Sequence, residues 1–262
     1  MKYSKQLYSI LELRKNFKAF YFKNSIKNEI GYDGIYHYHI RKTGGTSINT
    51  AFLKLYTVKD SIYHDLNIQL DNRLIINNHI YITNNKLLAE YTPYFYAFAH
   101  RPSHKLNISK NKFLFTCLRS PIDRMFSHYN MIKTSYEKNE NRYDYKDLYQ
   151  CLGNNICDFV NNLPKELVLE QIYMFSKNYN TNEAFDNIMN LNAVLLTEHL
   201  TEGFLELKEK LNLPLNYIHT RKANVITYLN NDEKDFLISK LTPEIELYNK
   251  ILEIKLKEYN IA

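Results

Sequence analysis

Short apolar runs and longer segments with helical spacing alternate along the chain. Residues 35–40, 94–100 and 112–118 are rich in β-branched and aromatic side chains, which is typical of buried strands. Residues 192–197 have the same character and lead into an amphipathic segment that predicts a helix over Leu200–Leu211. Strands that alternate with helices predict an α/β fold, in which a mostly parallel central sheet is flanked by helices. Ligands are then expected at the carboxyl ends of the strands.

The remaining segments predict accessory elements. Residues 1–30 carry spaced apolar positions between basic residues, which indicates an amphipathic, N-terminal helical extension. Residues 74–83 have strand-like ends around an Asn-Asn pair, which is typical of a hairpin. Residues 232–261 predict two helices divided at Thr242 and Pro243, because proline is favoured at the start of a helix.

The length and composition favour one globular domain. A chain of 262 residues is long enough for one α/β domain with a full core, so a single domain over residues 1–262 is expected. The apolar content of 45% and the charged content of 24% are ordinary for a globular protein. No run approaches the roughly 18 apolar residues of a membrane span, and the N-terminal segment has no signal-peptide core. We therefore expect a soluble, cytoplasmic protein without an integral membrane segment.

The net charge indicates the class of ligand, and the cysteine spacing indicates the state of the thiols. The net charge of +6 favours anionic partners, such as a nucleotide with several phosphates, an acidic polysaccharide or nucleic acid. Cys117, Cys151 and Cys157 cannot all pair within one chain and have no CxxC spacing, so we expect reduced thiols. No carboxylate motif resembles a magnesium site, and we expect no metal.

A basic, glycine-containing turn follows the first predicted strand. Gly44 and Gly45 permit backbone conformations that other residues resist, and apolar residues recur at helical spacing after them. Such a turn directs backbone N–H groups, a helix dipole and the cations Arg41 and Lys42 at one small volume. This volume suits an anionic group such as phosphate or sulfate. An ordinary strand-to-helix turn with a surface Arg-Lys pair is the simpler alternative.

The order of residues in the turn narrows the kind of anion site. Thr46 or Ser47 is expected to cap the helix, and both hydroxyls lie near the same volume. A P-loop of nucleoside triphosphatases needs a lysine after its glycines and a hydroxyl on magnesium. Here Lys42 precedes Gly44 and Gly45, so the turn differs from the loop of a kinase.

Residues 39–48, HIRKTGGTSI, closely resemble the 5′-phosphosulfate loop of sulfotransferases that use 3′-phosphoadenosine 5′-phosphosulfate (PAPS). The Lys-Thr-Gly-Gly-Thr version is found in carbohydrate sulfotransferases similar to the heparan sulfate 2-O- and 6-O-sulfotransferases. The resemblance implies that the donor nucleotide is bound by the whole turn, namely by Arg41, Lys42, Thr43, Gly44, Gly45, Thr46 and Ser47.

A second strand-to-helix turn resembles the same family. In LRSPIDRMFSHY, Arg119 stands at the end of a strand, and Ser120 with Asp123 gives a start similar to a capping box. This pattern is similar to the family's 3′-phosphate site, in which an arginine at the strand end and a serine eight residues later bind the phosphate. Arg119 and Ser127 match those positions.

A strand between the two motifs ends in a candidate base. In the resembled enzymes, a strand at this point ends in a Gly-His or similar pair, and that histidine is the catalytic base. Ala99 and His100 occupy the matching place here, with alanine instead of the usual glycine. His104 is the local alternative, and an ordinary structural histidine is a further one.

Two later segments also resemble parts of the family. Gln171 matches a glutamine found in this region of carbohydrate sulfotransferases, and we predict no role for it. Arg221 and Lys222 stand in a loop where members of the family bring basic residues over the nucleotide. A solvated Arg-Lys turn is the alternative for this pair.

The resemblance implies the PAPS sulfotransferase fold, which is related to P-loop nucleotide kinases. It also implies transfer of a sulfonate group to a carbohydrate hydroxyl, with His100 as the base and Lys42 stabilising the leaving oxygen. Two other classes remain open, a P-loop-type kinase with a degenerate loop and a basic, non-enzymatic protein that binds nucleic acid or acidic glycan. We expect a carbohydrate partner rather than nucleic acid, and the sequence does not indicate the oligomeric state.

Overall fold

The computed structural model describes residues 22, 24–140, 145–217 and 229–261. Within these residues, one six-stranded sheet is flanked by helices, so the predicted α/β class is confirmed. The strands are β1 (Ile35–Tyr38), β2 (Arg73–Ile76), β3 (His79–Thr83), β4 (Tyr96–Ala99), β5 (Phe113–Leu118) and β6 (Ala193–Leu196).

The helices connect these strands and pack on the sheet. They are α1 over residues 24–30, α2 (Gly45–Leu53), α3 (Ile62–Asn67), α4 (Lys86–Tyr91), α5 (Pro121–Glu137), α6 (Lys146–Tyr149), α7 (Ile156–Asn162), α8 (Lys165–Val168), α9 (Glu170–Tyr173), α10 (Thr181–Met189), α11 (Leu200–Leu211) and α12 (Asn231–Glu258). Short 3₁₀ turns lie at Lys54–Tyr56, Ser103–Lys105 and Thr197–His199.

The strand order indicates where a ligand would be expected to bind. The order is β2-β3-β4-β1-β5-β6, and all neighbours are parallel except β2 and β3. After β1 the chain builds the β2 to β4 side of the sheet, and it then crosses to β5 and β6 on the other side. The direction of winding therefore reverses between β1 and β5. In open α/β sheets, ligands bind at the carboxyl ends of the strands at such a point.

Both faces of the sheet are buried, which explains the nearly continuous apolar strands. On β1, Ile35 belongs to the core on one face, where α2 and α11 pack, and Tyr36 to the core on the other, beside α10 and α12. Side chains alternate between the two faces of a strand, and both faces here require apolar residues. A fully buried residue such as Phe115 contributes about 1.5–3 kcal/mol through the removal of its surface from water.

The predicted hairpin is confirmed by β2 and β3, which pair antiparallel. Asn77 and Asn78 form its turn and have positive φ angles of 44° and 65°. Two consecutive left-handed residues are the signature of the tight turn that matches strand twist, and asparagine tolerates this conformation better than most residues.

The predicted division of the last helix at Thr242 and Pro243 is wrong. α12 continues through Pro243. Leu241 and Leu247 are buried on either side of the proline, and this packing outweighs the missing backbone N–H. The carbonyl that loses its helical partner is that of Ser239, which is exposed, so water can satisfy it.

The N-terminal prediction falls mostly outside the described residues. The helical residues 24–30 agree with a helical extension, whereas the apolar positions before residue 22 are not described. In the described part of the chain, no helix is long and apolar enough to cross a membrane. The cytoplasmic location stays a prediction.

Candidate functional site

Three segments that follow neighbouring parallel strands meet at one edge of the sheet. The first loop, residues 39–44, follows β1; the second loop, Arg119 and Ser120, follows β5; and His100 follows β4. These segments emerge side by side, because β1 lies between β4 and β5. The Nη1 atom of Arg119 donates a hydrogen bond to the carbonyl of Lys42 at 3.1 Å. The two loops are therefore in direct contact.

Gly44 and Gly45, at the start of α2, are required for different structural reasons. Gly44 is the N-cap residue and has a φ of 78°, a left-handed conformation that glycine adopts without a steric penalty. Gly45 packs against the imidazole of His39, and a Cβ atom at this position would overlap the ring. Lys42 also has a positive φ, of 68°, which costs a residue with a Cβ atom roughly 1–3 kcal/mol. The surrounding contacts hold the first loop in this shape.

The N-terminus of α2 has the features of an anion site. The N–H groups of Ser47 and Ile48 bond to the carbonyl of Gly44 at 3.0 and 3.2 Å. The helix has no side-chain cap and no acidic residue in its first turn. The expectation that Thr46 or Ser47 caps it is wrong, because the helix begins at Gly45 and both hydroxyls lie inside the first turn. The leading N–H groups of such a helix carry partial positive charge beyond its end.

Thr43 and Arg41 use their side chains to hold the first loop. The buried hydroxyl of Thr43 donates to the carbonyl of Ile40 at 3.0 Å. Nη1 of Arg41 donates to Oε1 of Glu170 at 2.6 Å. Both were predicted to bind the nucleotide, and both side chains have partners inside the protein.

Lys42 and Arg119 lie where the first loop meets the second loop and α5, and Ser127 lies on α5. Nζ of Lys42 lies 3.3 Å from the sulfur of Met131 on α5. Ser127 is half-buried on the same helix, one turn before Met131. Arg119 reaches the same loop through its contact with the carbonyl of Lys42. The structure thus brings together the residues of the two motifs.

The side chains of Gln171 and Glu198 form hydrogen bonds with the backbone of the second loop. The N–H group of Arg119 donates to Oε1 of Gln171 at 2.9 Å, and its carbonyl accepts from Nε2 of the same residue at 3.0 Å. The N–H group of Ser120 donates to Oε1 of Glu198 at 2.9 Å. Ser120 is the N-cap residue of α5, but its side chain makes no capping bond, so the predicted capping box with Asp123 is wrong. The backbone of Ser120, with φ −42° and ψ 120°, instead turns its N–H group to Glu198.

His100 has the geometry of a neutral hydrogen-bond acceptor. Its Nδ1 atom lies 2.7 Å from the carbonyl oxygen of His39. A carbonyl only accepts, so Nδ1 carries the proton and Nε2 of the neutral ring keeps its lone pair. Burial, followed by the nearby charge of Arg41, lowers the pKa of His100 to about 3. The imidazole is therefore neutral at physiological pH.

The alternative base, His104, is placed differently. It is exposed in the 3₁₀ turn after β4, and its ring packs edge-on against Tyr173 at 5.1 Å between centroids. Partial burial, followed by the charges of Lys105 and Lys177, lowers its pKa. His100 lines the cavity beside the first loop, whereas His104 does not.

A cavity of about 180 Å³ lies beside His100. Its walls include Arg41 from the first loop, Lys105 from the turn after β4, and Glu166 and Tyr173 from the α8–α9 segment. The lining thus combines cations, carboxylates and one aromatic ring around the accepting imidazole. Such a cavity has room for a small polar group with an apolar face.

A buried network behind His100 was missed by sequence reasoning. Oδ1 of Asn49 accepts hydrogen bonds from Tyr96 at 2.6 Å and from Nδ1 of His37 at 2.9 Å. Its Nδ2 atom faces Nδ1 of His39 at 3.5 Å. The ring of His39 also packs on His100, with 4.1 Å between centroids. His37 of β1 and His39 of the first loop were a visible signal, but Asn49 reaches them only after α2 has folded onto the sheet.

Two predicted ligand residues, Arg221 and Lys222, lie outside the described residues. In the part of the chain that is described, no group of three or more His, Cys, Asp or Glu side chains is placed to hold a metal ion. All three cysteines are free thiols, as expected.

Comparison of the chain with models of known protein families and with curated proteins found no match.

Proposed function

We propose that this protein is a sulfotransferase that transfers the sulfonate group of PAPS to a hydroxyl of a carbohydrate acceptor. The observation that carries the proposal is the 3.1 Å contact between Arg119 and the carbonyl of Lys42, which joins two cationic strand-end loops. PAPS carries anionic groups at both its 5′ and its 3′ positions. The crevice between β1 and β5, with one such loop on each side, has the chemistry to bind both groups.

The 5′-phosphosulfate is assigned to the first loop and α2. The N-terminus of α2 presents backbone N–H groups without a side-chain cap or a first-turn carboxylate, which favours an anion. Gly45 packs directly against the ring of His39, which holds the start of α2 close to the first loop. Lys42 adds a positive charge to the first loop, and its Nζ atom lies 3.3 Å from the sulfur of Met131 on α5. These features suit the phosphosulfate group of the proposed donor.

The 3′-phosphate is assigned to Arg119 and Ser127. The N–H groups of Arg119 and Ser120 are already bonded to Gln171 and Glu198, so the second loop recognises an anion through side chains. An arginine fork is suited to phosphate, and a serine hydroxyl can donate one further hydrogen bond. This assignment separates PAPS from adenosine 5′-phosphosulfate, which lacks the 3′-phosphate.

The reaction proposed is an in-line displacement at sulfur. The acceptor oxygen forms a bond to sulfur while the bond between sulfur and the 5′-phosphate oxygen breaks, which releases adenosine 3′,5′-bisphosphate. Nε2 of His100, which keeps its lone pair, accepts the proton of the attacking hydroxyl. Lys42 stabilises the negative charge that develops on the leaving oxygen. The low pKa of His100 keeps the imidazole neutral at physiological pH, so that Nε2 can accept a proton.

The cavity beside His100 supports a carbohydrate acceptor. Its volume of about 180 Å³ is small, below the roughly 300–1,000 Å³ of typical drug-sized pockets, and suits a single sugar unit. Glu166 and Lys105 offer polar contacts to hydroxyls, and Tyr173 offers an apolar ring face to the sugar.

Isothermal titration calorimetry with adenosine 3′,5′-bisphosphate and with ATP in the presence of Mg²⁺ tests the proposal. We expect the bisphosphate to bind and ATP to bind more weakly, with no dependence on Mg²⁺. Tight binding of ATP that requires Mg²⁺, without binding of the bisphosphate, would instead identify a kinase with a degenerate loop. Binding of nucleic acid with a steep salt dependence, and of neither nucleotide, would identify the non-enzymatic alternative.

A further inference from the structure

Two consecutive residues of α9 each reach one of the two loops. Oε1 of Glu170 accepts a hydrogen bond from Arg41 of the first loop at 2.6 Å. The side-chain amide of Gln171 bonds both the N–H group and the carbonyl of Arg119, at 2.9 and 3.0 Å. Glu170 is 3% exposed and Gln171 is 1% exposed. The start of α9 thus joins both sides of the crevice through buried polar groups.

Residue Glu244 in turn holds the amide of Gln171. Glu244 of α12, which is fully buried, accepts hydrogen bonds from the backbone N–H of Gln171 at 2.6 Å and from its Nε2 atom at 3.3 Å. Glu244 also accepts from Nη2 of Arg124 at 3.1 Å, and the same Nη2 atom donates to the carbonyl of Val168 at 2.6 Å. These bonds restrict the position of the Gln171 side-chain amide. Movement of the amide would leave a buried amide or charge without a partner, which is strongly destabilising.

Hydrogen bonds consequently hold both the backbone and the guanidinium group of Arg119. Gln171 bonds its backbone, and the carbonyl of Lys42 accepts from its Nη1 atom. An arginine side chain that is already ordered loses less conformational freedom when it binds a ligand. The side chain of Gln171 bonds only the backbone atoms of Arg119. These bonds therefore set the direction in which the side chain of Arg119 leaves the sheet.

We propose that Gln171 is a positioning residue for Arg119 in recognition of the 3′-phosphate. The inference rests on the proposed function for the identity of the ligand, and on the structure for the contact itself. A purely structural role, in which Gln171 only joins α9 to the sheet, has a different consequence. It would change stability, or weaken all nucleotides equally, without changing selectivity for the 3′-phosphate.

The test compares adenosine 3′,5′-bisphosphate with adenosine 5′-monophosphate, which lacks the 3′-phosphate. Gln171→Ala should weaken binding of the bisphosphate about tenfold, on the order of one well-placed hydrogen bond, and leave the monophosphate unchanged. In the Arg119→Ala background, Gln171→Ala should have no further effect on either ligand, because it acts through Arg119. Equal weakening of both ligands in a folded Gln171→Ala protein, or additive losses in the double variant, would overturn the proposal.

Asn192→Ala is the matched control. Oδ1 of Asn192 accepts a hydrogen bond from the N–H group of Leu114 at 2.7 Å, near the other end of β5. Asn192→Ala therefore removes a comparable bond between a side-chain amide and the backbone. Selectivity for the 3′-phosphate should be unchanged in this variant. A loss of selectivity equal to that of Gln171→Ala would show that any loosening of β5 produces the effect, and would also overturn the proposal.

Two further measurements keep the test decisive. If Gln171→Ala does not fold, Gln171→Met, which keeps the length of the side chain without its hydrogen-bonding atoms, should show the same loss of selectivity. If the wild-type protein binds neither nucleotide, the proposed function fails, and hydrogen exchange of the Arg119 amide then decides the contact. Faster exchange at Arg119 in Gln171→Ala, with unchanged exchange in β5, would support the role of Gln171 in holding Arg119, and unchanged exchange at Arg119 would refute it.

Discussion

His100 donates its Nδ1 proton to the backbone carbonyl of His39 at 2.7 Å, and this bond leaves Nε2 as the acceptor. His39 belongs to the first loop, so the candidate base and the candidate anion site share one residue. The ring of His39 also packs against Gly45 at the start of α2. The position of the base is therefore coupled to the shape of the loop that the donor is expected to occupy.

Replacement of His100 should slow transfer without preventing nucleotide binding. A general base contributes roughly 10²- to 10⁴-fold, so kcat of His100→Ala should fall by that factor while its affinity for adenosine 3′,5′-bisphosphate is retained. Steady-state kinetics and calorimetry measure the two quantities. His104→Ala is the control, and a large loss of kcat in that variant with none in His100→Ala would assign the base to His104.

Lys42→Ala should lower kcat more than nucleotide affinity. Loss of one electrostatic stabiliser costs roughly 10²- to 10³-fold in kcat, because the charge on the leaving oxygen is greatest in the transition state. Lys138→Ala, at an exposed lysine that follows α5, is the control for loss of a positive charge. An unchanged kcat in a folded Lys42→Ala protein would remove this residue from the mechanism.

Gly45→Ala should destabilise the protein through its contact with His39. The added Cβ atom would overlap the imidazole, and such overpacking costs about 1–3 kcal/mol in the free energy of unfolding. Urea denaturation measures this cost. In a His39→Ala background the same substitution should cost clearly less, because the ring is absent. An equal cost in both backgrounds would show that the glycine is required for another reason.

Stability should decrease as the pH falls from about 6.5 towards 3, partly because of His128. Burial is the largest cause that lowers the pKa of His128 to about 3, from an ordinary value of 6.5. Between these values the unfolded chain binds a proton that the folded protein does not, so the free energy of unfolding rises with pH in this window. His128→Phe, which keeps a ring against Phe159, should reduce the loss of stability between pH 7 and pH 5. The same pH dependence in both proteins would contradict this account.

Local patterns were sufficient to predict most of the strands and both loops. The glycines at positions 44 and 45, and Arg119 at the end of an apolar strand, are features that act over a few residues. The Asn-Asn turn of the hairpin is similarly local. The sheet then brings the predicted positions together, because the strands that precede them are neighbours.

Long-range contacts could not be predicted from the sequence. The bond from Arg41 to Glu170 and the bonds from Gln171 to Arg119 join residues that no local pattern relates. The continuous α12 was missed for the same reason, because burial on both sides of Pro243 outweighs the local preference of proline. The caps predicted at Thr46 and Ser120 failed because the exact start of α2 and the carboxylate of Glu198 depend on the folded structure.

Recognition of the 3′-phosphate by Arg119 would separate PAPS, the proposed donor, from adenosine 5′-phosphosulfate. The most direct measurement is the affinity of wild-type and Arg119→Ala proteins for PAPS and for adenosine 5′-phosphosulfate. A charge-assisted contact of this kind is worth roughly 1.5–3 kcal/mol, so Arg119→Ala should bind PAPS about ten- to a hundredfold more weakly. Its affinity for adenosine 5′-phosphosulfate should hardly change, and Arg73→Ala on the distant β2 should affect neither ligand. Equal weakening of both nucleotides in a folded Arg119→Ala protein would contradict the account.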